Sequence, residues 1–471
     1  MPRTAIAFLV AVTAAAQPAP SPLPTDAEIR QILTDRIDTY KQSVGIAVGI
    51  ISPEGRRIVT YGSLDQIDPR PLTGDTLFET GSVTKIFTSL LLADMVKKGE
   101  VALNDPLSKY LPSSVKVPEH NGHPITLVDL STHTSGLPRD AGNLPSASIS
   151  DWEAGYSYDK LYEFLSSYKL TREPGSRFDY SNLGVSLLAI ALANRAGTDY
   201  LTLLQQRILV PLALNSTAII LSPELDRRFA AGHNFRLYPA PAMNFKIFAG
   251  AGAIRSTAND LLTFLAAFLG YDQTTLAPAM ASMFDVSRPM APPGARILAR
   301  AEQIHLGWIS EPTKGATINW HNGATFGFQS FIGFDPKART GVVVLSNTHY
   351  TGVEDIGMHI LNPKVDLKSA KKLKPAKQRT EVPVEGAILD RYAGTYNVSK
   401  EDFYKVTPVD GHLKMDGPPD PIDFYFPESN LTFFSKQFDG EITFKLDAKG
   451  SPTEFTWSNS AGKSKRYKKI N

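Results

Sequence analysis

Apolar residues fall along this chain in two rhythms, and the ends of its first long segment share one of them. Near the N-terminal end, VGIAVGIIS (residues 44–52) and RRIVTYGS (56–63) flank Pro53-Glu54-Gly55 and predict two strands joined by a hairpin. Some 280 residues later FQSFIGFD (328–335) and TGVVVLSN (340–347) surround Pro336-Lys337, and WHNGAT (320–325) just before them predicts a third strand. The stretches between follow the helical rhythm. Ile86, Phe87, Leu90, Leu91 and Met95 recur at helical spacing, and Lys97, Lys98 and Gly99 close that segment as a last turn and C-cap. LGVSLLAIALANRAG follows Tyr180-Ser181-Asn182 and predicts a second helix, which stops at Gly197. A sheet built from both ends, with helices from the middle packed on it, is the economical architecture: α+β or a mixed α/β sandwich, without βαβ repetition.

A chain of 471 residues exceeds one ordinary domain, and its composition divides it. The first unit is expected over residues 24–362. Residues 363–384 hold seven Lys or Arg and no aromatic residue, which predicts a solvated linker. Residues 385–471 are rich in Tyr, Phe and Thr in short runs broken by turn signals such as Asp410-Gly411 and Asp439-Gly440, the pattern of a small antiparallel β domain. At the very start, one Arg, an apolar run from Ala5 to Val12 and small residues before Gln17 read as a secretory signal over residues 1–16. Export to the periplasm or beyond the cell is therefore expected. No later run reaches the roughly 20 apolar residues that a transmembrane anchor needs.

Charge and cysteine content narrow the chemistry. A formal charge of +2 gives no reason to expect a nucleic-acid partner, and the absence of cysteine excludes disulfides, thiolate metal sites and thiol nucleophiles. Ser82 and Lys85 lie at i and i+3 where the first helix begins, so they share a face about 5 to 6 Å apart at Cβ. The Ser82 amide is among the free N–H groups of that helix start, where an oxyanion is stabilised, and a buried lysine with lowered pKa can accept the serine proton. A capping serine and a solvated lysine make the same spacing by chance. Tyr180 offers a second proton shuttle and Asn182 an amide for the lysine or a substrate carbonyl, unless they are an anchor and a cap. His321 stands at the rim of a predicted strand whose Gly323 lets another backbone approach closely. Other landmarks read structurally. Thr257 and Asp260 make a helix cap, His133 and Thr134 brace a loop near the site, and His120 with His123 spans an Asn-Gly turn. Arg139 and Arg255 are either substrate-carboxylate ligands or solvated side chains.

Ser82-x-x-Lys85, Tyr180-Ser181-Asn182 and His321-Asn322-Gly323, in that order, resemble the β-lactamase and penicillin-binding-protein superfamily of serine hydrolases, in its class C β-lactamase-like branch. The resemblance runs from about Ile29 to Leu361 and includes LSTHTSGLP and AGAIRSTANDLLTF. It implies an antiparallel sheet with helices on both sides and no metal or organic cofactor. It makes Ser82 the acylated nucleophile, with Lys85 and Tyr180 as proton-transfer partners. Asn182 is to position the lysine and the substrate, the amides of Ser82 and Ala324 are to form the oxyanion hole, and His321, Asn322 and Gly323 are to line the site. Histidine replaces the lysine of true β-lactamases at position 321, so peptides built from D-amino acids or small acyl esters are the expected substrates, with slow β-lactam turnover. The competing readings are a catalytically silent penicillin-binding-type sensor and an efficient class C β-lactamase. Around Tyr392-Ala393-Gly394-Thr395-Tyr396 the C-terminal unit resembles the lipocalin-like barrels of some family members, which implies a ligand site, a cap on the active site or a stabilising appendage.

Overall fold

The computed structural model describes residues 23–144, 153–290, 302–349, 352–368, 379–399, 402–417, 420–436, 440–459 and 462–470; the expected signal segment 1–16 lies outside them. The hairpin predicted at the start and the strands predicted at the far end join in one eight-stranded antiparallel sheet. Its order runs from Gly55–Gly62 at one edge through Gly45–Ser52, Thr340–Ser346, Gln329–Asp335, Ala316–Ala324, Ile309–Thr313 and Gln303–Ile304 to Arg288–Pro289. The register pairs Ile46 with Ser346 and Ile51 with Gly341, so the two chain regions meet directly. The strand predicted from WHNGAT starts earlier than its apolar pattern suggests, at Ala316.

Both faces of this sheet are covered, which explains why its central strands are apolar without alternation. Ile46, Val48 and Ile50 pack with Ile29 and Leu33 of the helix Asp26–Thr34 and with Ile356 and Ile360 of the helix Val353–Leu361. Ala47 and Ile51 face the larger core, which includes Leu262 and Leu265 of the helix Ala258–Phe268. Thr257 caps that helix as expected, its hydroxyl accepting the Asp260 amide at 3.1 Å.

The helix Thr84–Lys97 departs from a simple one-sided pattern, since every residue from Thr84 to Met95 is buried. A helix enclosed all round must satisfy its polar groups internally. Thr88 donates to the Gly250 carbonyl at 2.7 Å, and Ser89 shares a hydrogen with Ser131 at 2.8 Å. The second predicted helix spans Asn182–Ala196, with Ser181 accepting the Gly184 amide at its start and Gly197 in the left-handed region at its end.

The C-terminal unit is a closed eight-stranded barrel from Gly394–Asn397 to Ser464–Lys469. Asp410 and Gly411 both have positive φ between the paired Val409 and His412, a two-residue hairpin of type I′. Residues 437–439, including Asp439 of the other expected turn, lie outside the described set. Stacked and edge-on rings fill the barrel: Tyr392 on Phe444 at 4.0 Å, and Tyr396 and Phe444 against Phe455 at 5.1 and 5.6 Å. The described interior is thus an aromatic core. The two described ends of the expected linker differ. Lys368 donates its amide to Asp355, and Arg379, nearly buried, pairs with Glu428 at 2.6 Å and Glu441 at 2.5 Å. The Arg379 charge is thus docked, whereas Lys364, Asp366 and Lys368 stand exposed as a solvated linker should.

Candidate active site

Two glycines set the centre of the site. Gly81, at φ +51°, begins the single 3-10 turn Gly81–Val83 that carries Ser82 just ahead of the helix Thr84–Lys97. A Cβ on Gly81 would lie 2.7 Å from the backbone N and O of Ala324. From the other side, a Cβ on Gly323 would lie 1.9 Å from the Thr80 carbonyl and 2.8 Å from the Ser82 nitrogen. The Ser82 turn and the strand Ala316–Ala324 therefore touch backbone to backbone, which brings the Ala324 segment against the Ser82 segment. Thr80 is fixed in turn, accepting from Ser330 Oγ at 2.7 Å and donating its amide to Ile254 at 3.0 Å. Replacing Gly323 by alanine should push strand and turn apart, because the clashing atom is backbone and cannot rotate away. We expect kcat on an activated ester to fall by about 10² to 10³, the cost of losing one oxyanion donor. A folded Gly323→Ala protein with wild-type kcat would contradict this.

Lys85 and Tyr180 converge on Ser82. Lys85 Nζ lies 2.9 Å from Ser82 Oγ and donates to the Ala251 carbonyl at 2.7 Å, while the Tyr180 hydroxyl lies 2.7 Å from the same Oγ. Lys85 is 1 % exposed. Burial first, and then the positive charge of Arg139, hold its pKa well below the usual lysine range, with Asp140 opposing. Burial pushes the Tyr180 phenol up to about 12, opposed by its hydrogen-bond contact with Ser82. At neutral pH the phenol keeps its proton, and the low pKa of the amine favours the neutral form that can take one.

Tyr180 immediately precedes the cap of the helix Asn182–Ala196. His133, itself at φ +57°, accepts the Ser181 amide at Nδ1 (3.2 Å) and stacks on the Tyr180 ring with centroids 4.3 Å apart. The loop brace expected from sequence thus also orients the phenol. Burial, reinforced by Lys85, His321 and Arg139, holds its pKa well below the usual histidine value. Its ring is therefore neutral, with the proton on Nε2.

The remaining expected residues divide. His321 is buried, 6.5 Å from the Tyr180 ring between centroids, and its Nδ1 faces the Asn322 carbonyl at 2.5 Å. Burial, then Lys85, brings its pKa down to about 4. Asn182 donates to Asp140 at 3.0 Å, whereas the lysine it was expected to position is held by Ser82 and Ala251. Asn322 needs a second correction. Successive strand residues face opposite sides of a sheet, so its side chain turns away from that of His321 and donates to Glu354 at 2.9 Å. Arg255 is a structural residue, joined to buried Glu79 at 3.1 Å and donating to the carbonyls of Ile219 and Met243. His120 and His123 face each other across a hairpin that turns at Asn121 and Gly122, remote from this constellation in sequence and role.

Sequence reasoning missed Gly81, Asp140, Ala251 and Glu153. Ala251 opens the stretch AGAIRSTANDLLTF that carries part of the resemblance, and Gly81 sits beside Ser82, so both had a local signal. Glu153 had none. It is fully buried and accepts the amides of Lys246, Ile247 and Phe248 at 3.2, 2.6 and 3.2 Å, fixing the entrance to the short helix Ala249–Gly252 that presents the Ala251 carbonyl.

Known proteins resemble this chain in sequence and fold. The Beta-lactamase family matches residues 30–364, and a domain of unknown function, DUF3471, matches residues 378–471. The D-alanyl-D-alanine-carboxypeptidase/endopeptidase AmpH of Escherichia coli strain K12 is 30% identical over 332 residues, 67% of this chain and 84% of that protein. A beta-lactamase from the same strain is 27% identical over 370 residues, 71% of this chain and 92% of the other. Among solved structures, the beta-lactamase/D-alanine carboxypeptidase of Yersinia pestis, complexed with citrate, superposes with a TM-score of 0.61 at 26% identity, covering 71% of this chain and 96% of its own. A match across most of the first unit, together with a serine, lysine and tyrosine meeting at one oxygen, shows that the chain belongs to the Beta-lactamase family, as a serine hydrolase of the β-lactamase/D,D-peptidase type.

Proposed function

We propose that the chain is an exported hydrolase that works through an acyl-enzyme on Ser82, on D-amino-acid peptides or short acyl esters, and turns over β-lactams slowly. The convergence of a buried lysine at 2.9 Å and a protonated tyrosine at 2.7 Å on one serine oxygen carries this reading. In the first half-reaction Ser82 Oγ attacks the substrate carbonyl as its proton passes to neutral Lys85. The oxyanion lies between the amides of Ser82 and Ala324, the role that their enforced contact supports. Tyr180 gives its proton to the departing nitrogen or oxygen and recovers it from the protonated lysine. Water then attacks the acyl group by the same route in reverse, releasing the acid and restoring the serine.

His321 bears on the substrate class. A pKa of about 4 leaves it uncharged throughout the physiological range, so the strand offers no fixed cation to a β-lactam carboxylate. The carboxypeptidase name of AmpH, at 30% identity, favours the peptide among the candidates. Export is supported by the apolar run from Ala5 to Val12 behind one Arg.

Kinetics on a nitrophenyl ester, a D-alanyl-D-alanine peptide and nitrocefin test this. Ester or peptide should be cleaved faster than nitrocefin, with no inflection near pH 6.5 assignable to His321. His321→Lys should raise nitrocefin turnover by about tenfold, the yield of a charged hydrogen bond of about 1.5 kcal/mol. Turnover of nitrocefin by the wild type near the diffusional limit would make the chain an efficient β-lactamase instead.

A further inference from the structure

One charged group beside the reacting atoms helps to lower the Lys85 pKa but itself carries no proton in the transfers described above. The Arg139 guanidinium carbon lies 5.1 Å from the centroid of the Tyr180 ring, whose hydroxyl is 2.7 Å from Ser82 Oγ. Its backbone is pinned, because the Arg139 carbonyl accepts the Leu183 amide at 3.0 Å in the first turn of the helix Asn182–Ala196. Its side chain is exposed, and among the described residues no carboxylate lies within salt-bridge distance of it. The neighbouring Asp140 carboxylate is engaged by Asn182 at 3.0 Å. The other positive candidates at the site are committed elsewhere: Arg255 to Glu79, and Lys85 to the serine.

We propose that Arg139 forms a carboxylate-binding subsite beside the Tyr180 ring, and that it selects substrates bearing a free carboxylate. The inference rests on the acyl-enzyme reading above and deepens it. A planar guanidinium matches a carboxylate with two parallel N–H donors, and its resting place against an aromatic ring leaves that fork available to a ligand. It also explains how a cleft without a charged group on its strand can still recognise an anionic peptide end. The carboxylate can belong to either half of the substrate, the leaving amino acid or the acyl group.

Two substrate pairs separate these sources. The first is an acylated lysyl-D-alanyl-D-alanine with a free C-terminus and its C-terminal amide. The second is nitrophenyl hemiglutarate and nitrophenyl butyrate. For each pair the ratio of kcat/KM, anionic over neutral, is measured in wild type, Arg139→Gln and Arg139→Lys. In at least one pair the wild-type ratio should fall about ten- to a hundredfold in Arg139→Gln, the range for a charged hydrogen bond, and be largely kept in Arg139→Lys. The pair that responds identifies the half of the substrate. Ratios unchanged in both pairs overturn the subsite, as does a loss equal for anionic and neutral members, which would mean that Arg139 acts only through Lys85 or Tyr180. Fluorophosphonate labelling of Ser82 reads the same contact without turnover. The free-carboxylate substrate should protect wild type better than its neutral partner, and Arg139→Gln should erase that difference. Labelled Ser82 with no difference overturns the subsite and leaves the acyl-enzyme standing; unlabelled wild-type Ser82 overturns both.

Discussion

Ser82→Ala is expected to abolish both fluorophosphonate labelling and ester hydrolysis while leaving the protein folded. The side chain is small and only half-buried, and its oxygen is held by Lys85 and Tyr180, neither of which depends on it alone for place. Lys85 keeps the Ala251 carbonyl, and the Tyr180 ring keeps its stack on His133. The far-UV spectrum should be unchanged and the melting temperature close to wild type. Intact mass after labelling supplies the readout: a shift by one adduct in wild type, none in the variant. A variant that still labels at another position and hydrolyses ester at the wild-type rate would place the nucleophile elsewhere.

The second large effect concerns Lys85 and carries a pH signature. Lys85→Met removes the base and should lower kcat by roughly 10² to 10⁴. Lys85→Arg should fare no better, since a guanidinium stays protonated in proteins and cannot accept the serine proton. In wild type the active form holds the lysine neutral. Activity should therefore rise with pH through the lysine pKa, which burial places well below 10.5, and fall below it as the amine protonates. Tyr180 sets no opposing limb at ordinary pH because its phenol titrates only at about 12. Stability has the same sign. A lysine whose folded pKa is depressed binds more protons when unfolded, so its contribution improves with rising pH between the folded value and the unfolded one. Lys85→Met should flatten both dependences together. A full rate in Lys85→Arg, or an acid limb that persists in Lys85→Met, would remove the lysine from the mechanism.

The sequence carried the local part of this site. Ser82 and Lys85 share a face because helical spacing puts them there, and Tyr180 was legible because its motif abuts a helix start. Gly323 was readable as a point of close approach, though the backbone it approaches, Thr80 and Ser82, lies some 240 residues away. Contacts formed only by the tertiary fold left no such trace. The Asp140 that takes up Asn182 and the Glu153 that anchors three amides depend on loops whose placement no periodicity encodes. Asn322 was misread by grouping it with its neighbours, where the two-residue period of a strand turns every second side chain to the other face. The sheet itself was visible from both ends because its strands are apolar on both faces. The docking of Arg379 was not, since an arginine looks the same in water as in an ion pair.

The pairing of Gly45–Ser52 with Thr340–Ser346 also governs when the site comes into being. A ribosome delivers the nucleophile turn early and the strand bearing Gly323 and Ala324 far later, and that strand finds its place only by pairing with still later segments. Closing a loop of nearly 300 residues adds entropy only logarithmically with length, but contacts so distant in sequence form slowly. An emerging chain thus holds Ser82 without its strand until nearly the whole first unit has been synthesised. A chain truncated before residue 340 would carry the full Ser82, Lys85 and Tyr180 set in its sequence yet lack the strand Thr340–Ser346 that joins the strand order seating Ala324 against the serine to the hairpin at the start of the chain.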